Sequence, residues 1–265
     1  MDKKIAIIGG GNLGTAIAEG LLQSGFTVPG NIIITKRNTK TLSALADKGV
    51  VITDNNGEAA RFAELIILAV KPFQIDEILL GIREDLDDKK HLVVSVITGI
   101  SILHLRDVLA KPMPIVRAMP NTAIAIQESM TCLSALSANA DQVRYIENLF
   151  NQLGKVAWVD EKLMDAATVL GACGTAFAMR YIRANIQGGI EIGFDATTAS
   201  LIVAQTVKGA ADLLLKHKTH PEQEIDKVTT PKGCTIAGLN QMEHQGFSSS
   251  LIKGIVASYD KIVKE

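Results

Sequence analysis

The sequence predicts an α/β chain: a doubly wound, mostly parallel sheet in the N-terminal part, followed by an all-α C-terminal part. Three observations carry this. Up to Asp160 short, almost wholly apolar runs recur, namely "IAIIG", "NIIIT", "ELIILAV", "HLVVSV", "PIVRAM" and "KVAWV". Runs without polar alternation are what strands buried on both faces need, and a parallel sheet covered by helices supplies that burial. The first run passes straight into Gly9-Gly10-Gly11-Asn12-Leu13-Gly14. After Asp160 the strand signal stops and helix-length segments rich in Ala, Gly and Thr take over. The expected domains are therefore 1–160 and 161–265.

Composition narrows the function classes. The chain has 265 residues, 47% hydrophobic and 21% charged, as in a soluble globular protein. Its 27 Lys and Arg balance 28 Asp and Glu, so no global field draws nucleic acid or an anionic membrane. "MDKKIAIIGG" has the basic-then-apolar start of a signal peptide, but glycines end the apolar run at once, which reads as a strand entering a turn. No window comes close to the roughly 20 uninterrupted apolar residues of a spanning helix. Three widely spaced cysteines, Cys132, Cys173 and Cys234, argue against a disulfide framework and for a reduced, cytoplasmic setting.

The first strand and its turn predict a dinucleotide site. Gly9 permits the tight turn, Gly11 lets backbone approach a pyrophosphate, and Gly14 lets the helix "TAIAEGLLQSG" sit close on the strand. The glycine pattern alone is weak; its place between a strand and a helix at the start of a βαβ unit makes the domain Rossmann-like. Ile8, Asn12 and Leu13 join the expected cofactor contacts.

The second strand ends at Thr35-Lys36-Arg37-Asn38, where an NAD site usually presents an acid to the ribose. Lys36 and Arg37 stand there instead. A guanidinium can pair with a 2′-phosphate, so NADPH is the expected cofactor, with NADH possible. The alternative is that both are solvated loop charges. Asn56 is a further cofactor candidate. The next strand closes with Ala69-Val70-Lys71-Pro72 and the one after it with Val96-Ile97-Thr98. Both are carboxyl ends of parallel strands, where ligands bind in open α/β sheets. Lys71 reads as solvating its strand end rather than as a catalytic lysine.

In the helical half, "AATVLGACGTAFAMRYIRANIQGGIEIGF" carries few charges and many small residues. Such helices should be buried nearly all round, and about 100 residues are too few to bury them alone. A homodimer built through this half is expected. Then "DKVTTPKGCTIAGLNQME" interrupts the helices: Pro231 ends one, Gly233 permits a turn, and a new helix starts near Thr235. Backbone N–H groups there converge on a point suited to a carboxylate or phosphate.

Other chemistries find little support. There is no G-x-S-x-G elbow. His217 and His220 could share a helix face, but Pro221 breaks the geometry, and no metal site is expected.

With the glycine turn, Ala69-Val70-Lys71-Pro72, "RAMPNT" at 117–122 and "VTTPKGCTIAGL" at 228–239 in that order, the chain resembles the Δ1-pyrroline-5-carboxylate reductase family from end to end. The family loop is usually of the type Ser-Pro-Gly-Gly-Thr-Thr; here it is Thr230-Pro231-Lys232-Gly233-Cys234-Thr235, so Lys232 replaces a glycine and Cys234 a small or hydroxyl residue. The family's Gly-Ser-Gly-Pro-Ala-Tyr segment corresponds to Ala172-Cys173-Gly174-Thr175-Ala176-Phe177.

The resemblance implies reduction of 1-pyrroline-5-carboxylate to L-proline, the final step of proline biosynthesis. Its carboxylate would rest on the loop from Thr230 to Thr235. The Thr235 hydroxyl is the candidate catalytic contact, and the loop would lie over the nicotinamide beside interlocked helices of two subunits. Asn121 and Thr122 either shape the nicotinamide end or cap the next segment. The alternatives with the same layout are another NADP-dependent imine reductase, a β-hydroxyacid reductase or a non-catalytic NADP-binding regulator. Against the hydroxyacid enzyme, 161–200 holds only Lys162 where a helix lysine would be needed.

Overall fold

The computed structural model describes residues 3–264; Met1 and Asp2 of the basic start, and Glu265, lie outside them. One eight-stranded sheet has the order β3-β2-β1-β4-β5-β6-β7-β8. Its strands are β1 (Ile5–Ile8), β2 (Ile32–Thr35), β3 (Val51–Thr53), β4 (Leu65–Leu68), β5 (Leu92–Ser95), β6 (Ile115–Met119), β7 (Ser129–Leu136) and β8 (Gly154–Trp158). Neighbours from β3 to β6 pair in parallel, β6 and β7 pair antiparallel, and β7 pairs β8 in parallel.

The unbroken apolar runs are explained by two cores. Ile5, Ile7, Ile32, Ile34, Leu65 and Ile67 feed one face; Ala6, Ile8, Ile33, Ile66 and Leu68 feed the other. Successive side chains of a strand point to opposite faces, so a strand covered on both sides is apolar at nearly every position, with Thr35, Ser95 and Arg117 as buried exceptions. Helices α1 (Asn12–Gln23) and α6 (Ala140–Asn151) cover the first face through Ile17, Leu21, Ile146 and Phe150. Helices α3 (Asn56–Phe62), α4 (Ile75–Ile82) and α5 (Ile102–Leu109) cover the second through Ala59, Leu79 and Leu105. A one-turn helix, α2 (Ser43–Ala46), adds Leu45.

Two strands escaped the sequence reading. β3 has three residues, and its Val51 is exposed. β7 mixes Ser129, Thr131, Cys132 and Ser134 among its apolar residues, and it is the strand that reverses direction.

The chain divides into two compact units, Met1–Ala172 and Cys173–Glu265. The sequence pattern changes earlier, at Asp160. The segment between keeps company with the sheet: Met164 in α7 (Met164–Ala167) and Val169 are buried, and Arg117 of β6 pairs with Glu161 and Asp165. The first unit ends inside a π-helical turn, Thr168–Cys173.

The second unit is helical throughout: α8 (Gly174–Glu191), α9 (Ala196–His217), α10 (Pro221–Lys227), α11 (Cys234–His244) and α12 (Phe247–Val263). Asp195 caps α9, and hydrogen bonds from Thr198 and Thr197 hold its carboxyl below the usual carboxylate range. The expected all-round burial is not met within one chain. No residue of α8, α11 or α12 is buried, and Leu201 and Ile192 are 71% and 78% exposed. Among the described residues one helix, α9, is long and apolar enough to cross a membrane by length and composition. It is not an uninterrupted apolar stretch, since Lys208 and Asp212 lie within it.

Candidate functional site

The carboxyl ends of β1, β2, β4 and β5 open on one cleft of ≈ 1190 Å³ in the first unit. It lies where the sheet order reverses on either side of β1, the crevice in which doubly wound sheets bind ligands.

The glycine turn forms its floor. Gly9 has φ of +113°, and a Cβ there would stand 2.4 Å from the Ala69 carbonyl oxygen at the end of β4. A Cβ on Gly14 would stand 2.1 Å from the Gly9 oxygen, so the helix start and the turn interlock only without side chains. Gly11 has open space around it. Thr35 pins the turn from β2: its carbonyl accepts the Gly10 N–H at 2.6 Å and its hydroxyl accepts the Gly9 N–H at 3.3 Å. Helix α1 begins with Gly11 as its cap and no side chain capping it, so its first N–H groups face the cleft, an arrangement that favours an anion.

Lys36, Arg37 and Asn38 line the cleft beyond β2, and Asp54, Asn55 and Asn56 line it beyond β3. Asn55 caps α3 by accepting the Glu58 N–H, and the Glu58 carboxylate is engaged by the Thr53 hydroxyl at 2.6 Å. Glu58 is thus tied down, while Asp54 stands on the same wall as Lys36 and Arg37. On the opposite side the wall is Ala69, Val70, Lys71, Pro72, Val96, Ile97 and Thr98.

Of the residues expected at the cofactor, Gly9, Gly11, Asn12, Leu13, Lys36, Arg37, Asn56, Ala69 to Pro72 and Val96 to Thr98 line the cleft. Ile8 is fully buried in the sheet and Gly14 packs under the turn, so neither lines it. The sequence reading missed Asp54 and Asn55 with β3, and Gln74, Glu77, Ile78 and Gly81 around α4. Their places come from the pairing of β3 with β2 and from the packing of α4, neither of which leaves a local motif.

Asn121 sits elsewhere in the first unit. Its side-chain oxygen accepts the Ala123 N–H at 3.0 Å and caps the 3₁₀ turn Thr122–Ile126, while its amide donates to the Gly171 carbonyl at 3.1 Å. The capping alternative therefore describes its contacts.

In the second unit, Thr230-Pro231-Lys232-Gly233 make a tight turn closed by the Gly233 N–H donating to the Thr230 carbonyl at 2.9 Å. Lys232 has φ of +61°. Proline second and a positive φ third is the type II pattern, which favours glycine at the position Lys232 occupies. A Cβ on Gly233 would stand 2.6 Å from the Thr230 hydroxyl. Helix α11 follows with Gly233 as its cap and no capping side chain, placing Cys234 and Thr235, both exposed, in its first turn. Among the described residues no group of His, Cys, Asp and Glu could hold a metal.

Residues 161–264 match the family model described as pyrroline-5-carboxylate reductase dimerisation, and residues 4–99 match that described as NADP oxidoreductase, coenzyme F420-dependent. Pyrroline-5-carboxylate reductase 2 of Dictyostelium discoideum is 45% identical over 99% of this chain and 93% of its own. The chain belongs to the pyrroline-5-carboxylate reductase family. Pyrroline-5-carboxylate reductase 1 of the same organism is 48% identical over 98% of this chain, which spans about half (49%) of that relative's length. Among solved structures, a pyrroline-5-carboxylate reductase from Coxiella burnetii superposes with TM-score 0.92 at 30% identity, covering 100% of this chain and 98% of its own. The Plasmodium falciparum pyrroline carboxylate reductase with NADP bound superposes with TM-score 0.87 at 26% identity, covering 98% and 97%. The two-part fold, a Rossmann-like domain followed by a helical dimerisation domain, is that of the family.

Proposed function

We propose that this protein is an NADPH-dependent reductase converting 1-pyrroline-5-carboxylate to L-proline, the last step of proline biosynthesis, in the cytoplasm. The observation that carries this reading is the end-to-end likeness to reductases of that name. Residues 1–160 serve the cofactor, and 161–265 serve the substrate and a homodimer.

The cleft fits a dinucleotide. Its glycine floor is open at Gly11, and the uncapped start of α1 offers N–H groups to a pyrophosphate. Lys36 and Arg37, with no acid at the end of β2, support a preference for the 2′-phosphate of NADPH over NADH. Bound there, the cofactor supplies a hydride. The chain's own work is binding and orientation, which in favourable cases supplies about 7–11 kcal/mol of barrier reduction.

On the substrate side, the uncapped N–H groups of Cys234 and Thr235 and the Thr235 hydroxyl hold the imine's carboxylate, and Lys232 adds a positive charge at the turn. No residue need deliver a proton, because a protonated imine brings its own and the product amine keeps it. The apolar faces of α8, α9 and α12 are read as the dimer surface; they match the dimerisation family and are uncovered in one chain.

The test is NADPH oxidation at 340 nm with 1-pyrroline-5-carboxylate, run beside NADH. Turnover of roughly 1 to 10³ per second is expected, faster with NADPH. Binding of NADPH without turnover would overturn the substrate assignment.

A further inference from the structure

A charged cluster built on one buried arginine lies in the first unit, and neither core packing nor the cofactor cleft uses it. Arg117 on β6 is 3% exposed. Its Nη1 donates to Glu161 Oε1 at 3.1 Å and its Nη2 to Asp165 Oδ1 at 3.0 Å. The same Glu161 Oε1 also accepts the N–H of Ile102, the first residue of α5, at 3.1 Å. Arg117 Nε and Glu161 Oε2 are buried without a hydrogen-bond partner among the described residues.

Energetics argue against a purely stabilising role. Taking the Arg117 guanidinium out of water costs several kcal/mol, and its partners Glu161 and Asp165 keep 29% and 38% of their side-chain surface exposed, so the pairing is partly screened and offsets only part of that cost. Two orphaned polar atoms add to that cost. What the cluster does accomplish is local. Glu161 is fastened by Arg117 and in turn holds the first N–H of α5, where a carboxylate is favoured by the helix dipole. The stretch entering that helix is Val96-Ile97-Thr98-Gly99-Ile100-Ser101, and its first three residues line the cleft. Val96 and Ile97 are buried, and beyond them the chain turns at Gly99 through φ of +76° with open space around it. The two ends of the stretch are held by backbone-donor bonds, the Val96 N–H to the Leu68 carbonyl at 3.0 Å and the His104 N–H to Ser101 Oγ at 3.1 Å, but between them the only other side-chain contacts among the described residues are the Ile97 N–H to Ser95 Oγ at 3.3 Å and the Thr98 hydroxyl to Met119 Sδ at 3.9 Å, both weak.

We propose that Glu161, held by Arg117, is a positioning residue for the cofactor: through the Ile102 N–H it fixes the Val96–Ser101 stretch that receives the nicotinamide half. The inference deepens the NADPH reading and rests on it. In a sheet of this order the first βαβ half, with the glycine turn, Lys36 and Arg37, takes the adenosine phosphate end, and the β4 and β5 ends take the nicotinamide. Loosening the stretch should weaken ligands that carry a nicotinamide and spare those that lack one.

Ile102→Pro removes the N–H and leaves the Arg117 pairs intact; proline is tolerated at the first helical position, and Ser101 before it already has the extended backbone proline requires. Ile102→Ala loses the same packing but keeps the N–H. Dissociation constants for NADPH and for 2′-phospho-ADP-ribose are measured by calorimetry with each variant. Expected is a loss of about tenfold in NADPH affinity for Ile102→Pro relative to Ile102→Ala, with 2′-phospho-ADP-ribose bound equally by both. Glu161→Gln, which keeps an acceptor oxygen, should fall between wild type and Glu161→Ala for NADPH alone. Equal NADPH affinity in the two Ile102 variants, or parallel losses of both ligands, would overturn the positioning role. Wild-type protein that binds neither ligand would instead overturn the cofactor reading beneath it.

Discussion

The Gly233 N–H donates to the Thr230 carbonyl at 2.9 Å, closing a turn that forces Lys232 to φ of +61°. A left-handed backbone costs a side-chain-bearing residue about 1–2 kcal/mol relative to glycine. The glycine usual in the related loops is thereby explained, and a lysine in its place carries a cost that a role for its charge would offset. Lys232→Gly should leave the melting temperature unchanged or raise it, because relieved strain counters the added freedom of the unfolded chain. The KM for 1-pyrroline-5-carboxylate should rise while NADPH affinity stays put. An unchanged KM would remove Lys232 from the substrate site.

Arg37 and Lys36 stand where an acid would bind the ribose of NADH. Arg37→Asp should weaken NADPH by about tenfold or more, since a charge-assisted pair becomes a like-charge contact, and should leave NADH little changed. Equal loss with both cofactors, read from the two KM values, would sink the 2′-phosphate assignment.

Gly14 has a Cβ position 2.1 Å from the Gly9 oxygen. Backbone cannot move aside as a flexible side chain can, so Gly14→Ala should destabilise the first unit by about 1–3 kcal/mol and abolish NADPH binding. Urea denaturation and cofactor calorimetry on the same variant check both halves. Normal binding would mean that the turn tolerates a shift this close packing denies.

His91, 2% exposed just before β5, accepts the Asp87 N–H on Nδ1 at 2.8 Å, and burial followed by the charge of Lys90 lowers its pKa below the ordinary 6.5. Below that value the unfolded chain takes up a proton that the folded chain resists. Stability should therefore fall as pH drops from 6.5 toward the lower folded pKa, and level off beneath it. His91→Asn keeps an acceptor but does not titrate. Its urea midpoint should change less than that of wild type between about pH 7.5 and 5.5; parallel curves would clear His91 of any part in acid sensitivity.

Leu201 on α9 is 71% exposed in the single chain. Placing a charge on a covered apolar surface is costly, so Leu201→Glu should shift the mass seen by light scattering from dimer toward monomer. An unchanged dimer would exclude this face of α9 from the interface.

The sequence by itself determined the α/β class, the change to helices after Asp160, the glycine floor of the cleft and the family. Each rests on a local signal: an apolar run with no polar break, a glycine where a Cβ would strike backbone, a turn sequence before a helix. Only the tertiary structure decided the rest. Val51 in a three-residue edge strand and Ser129 in a polar-flecked one gave no periodicity to read, yet sheet pairing made strands of both. Asp54 lines the cleft because β3 pairs beside β2, and Glu77 and Gly81 line it from α4. Arg117 looks like any arginine until a partner 44 residues on, Glu161, is folded against it. Such pairings depend on which surfaces the sheet brings together, and that long-range choice leaves no trace in neighbouring residues.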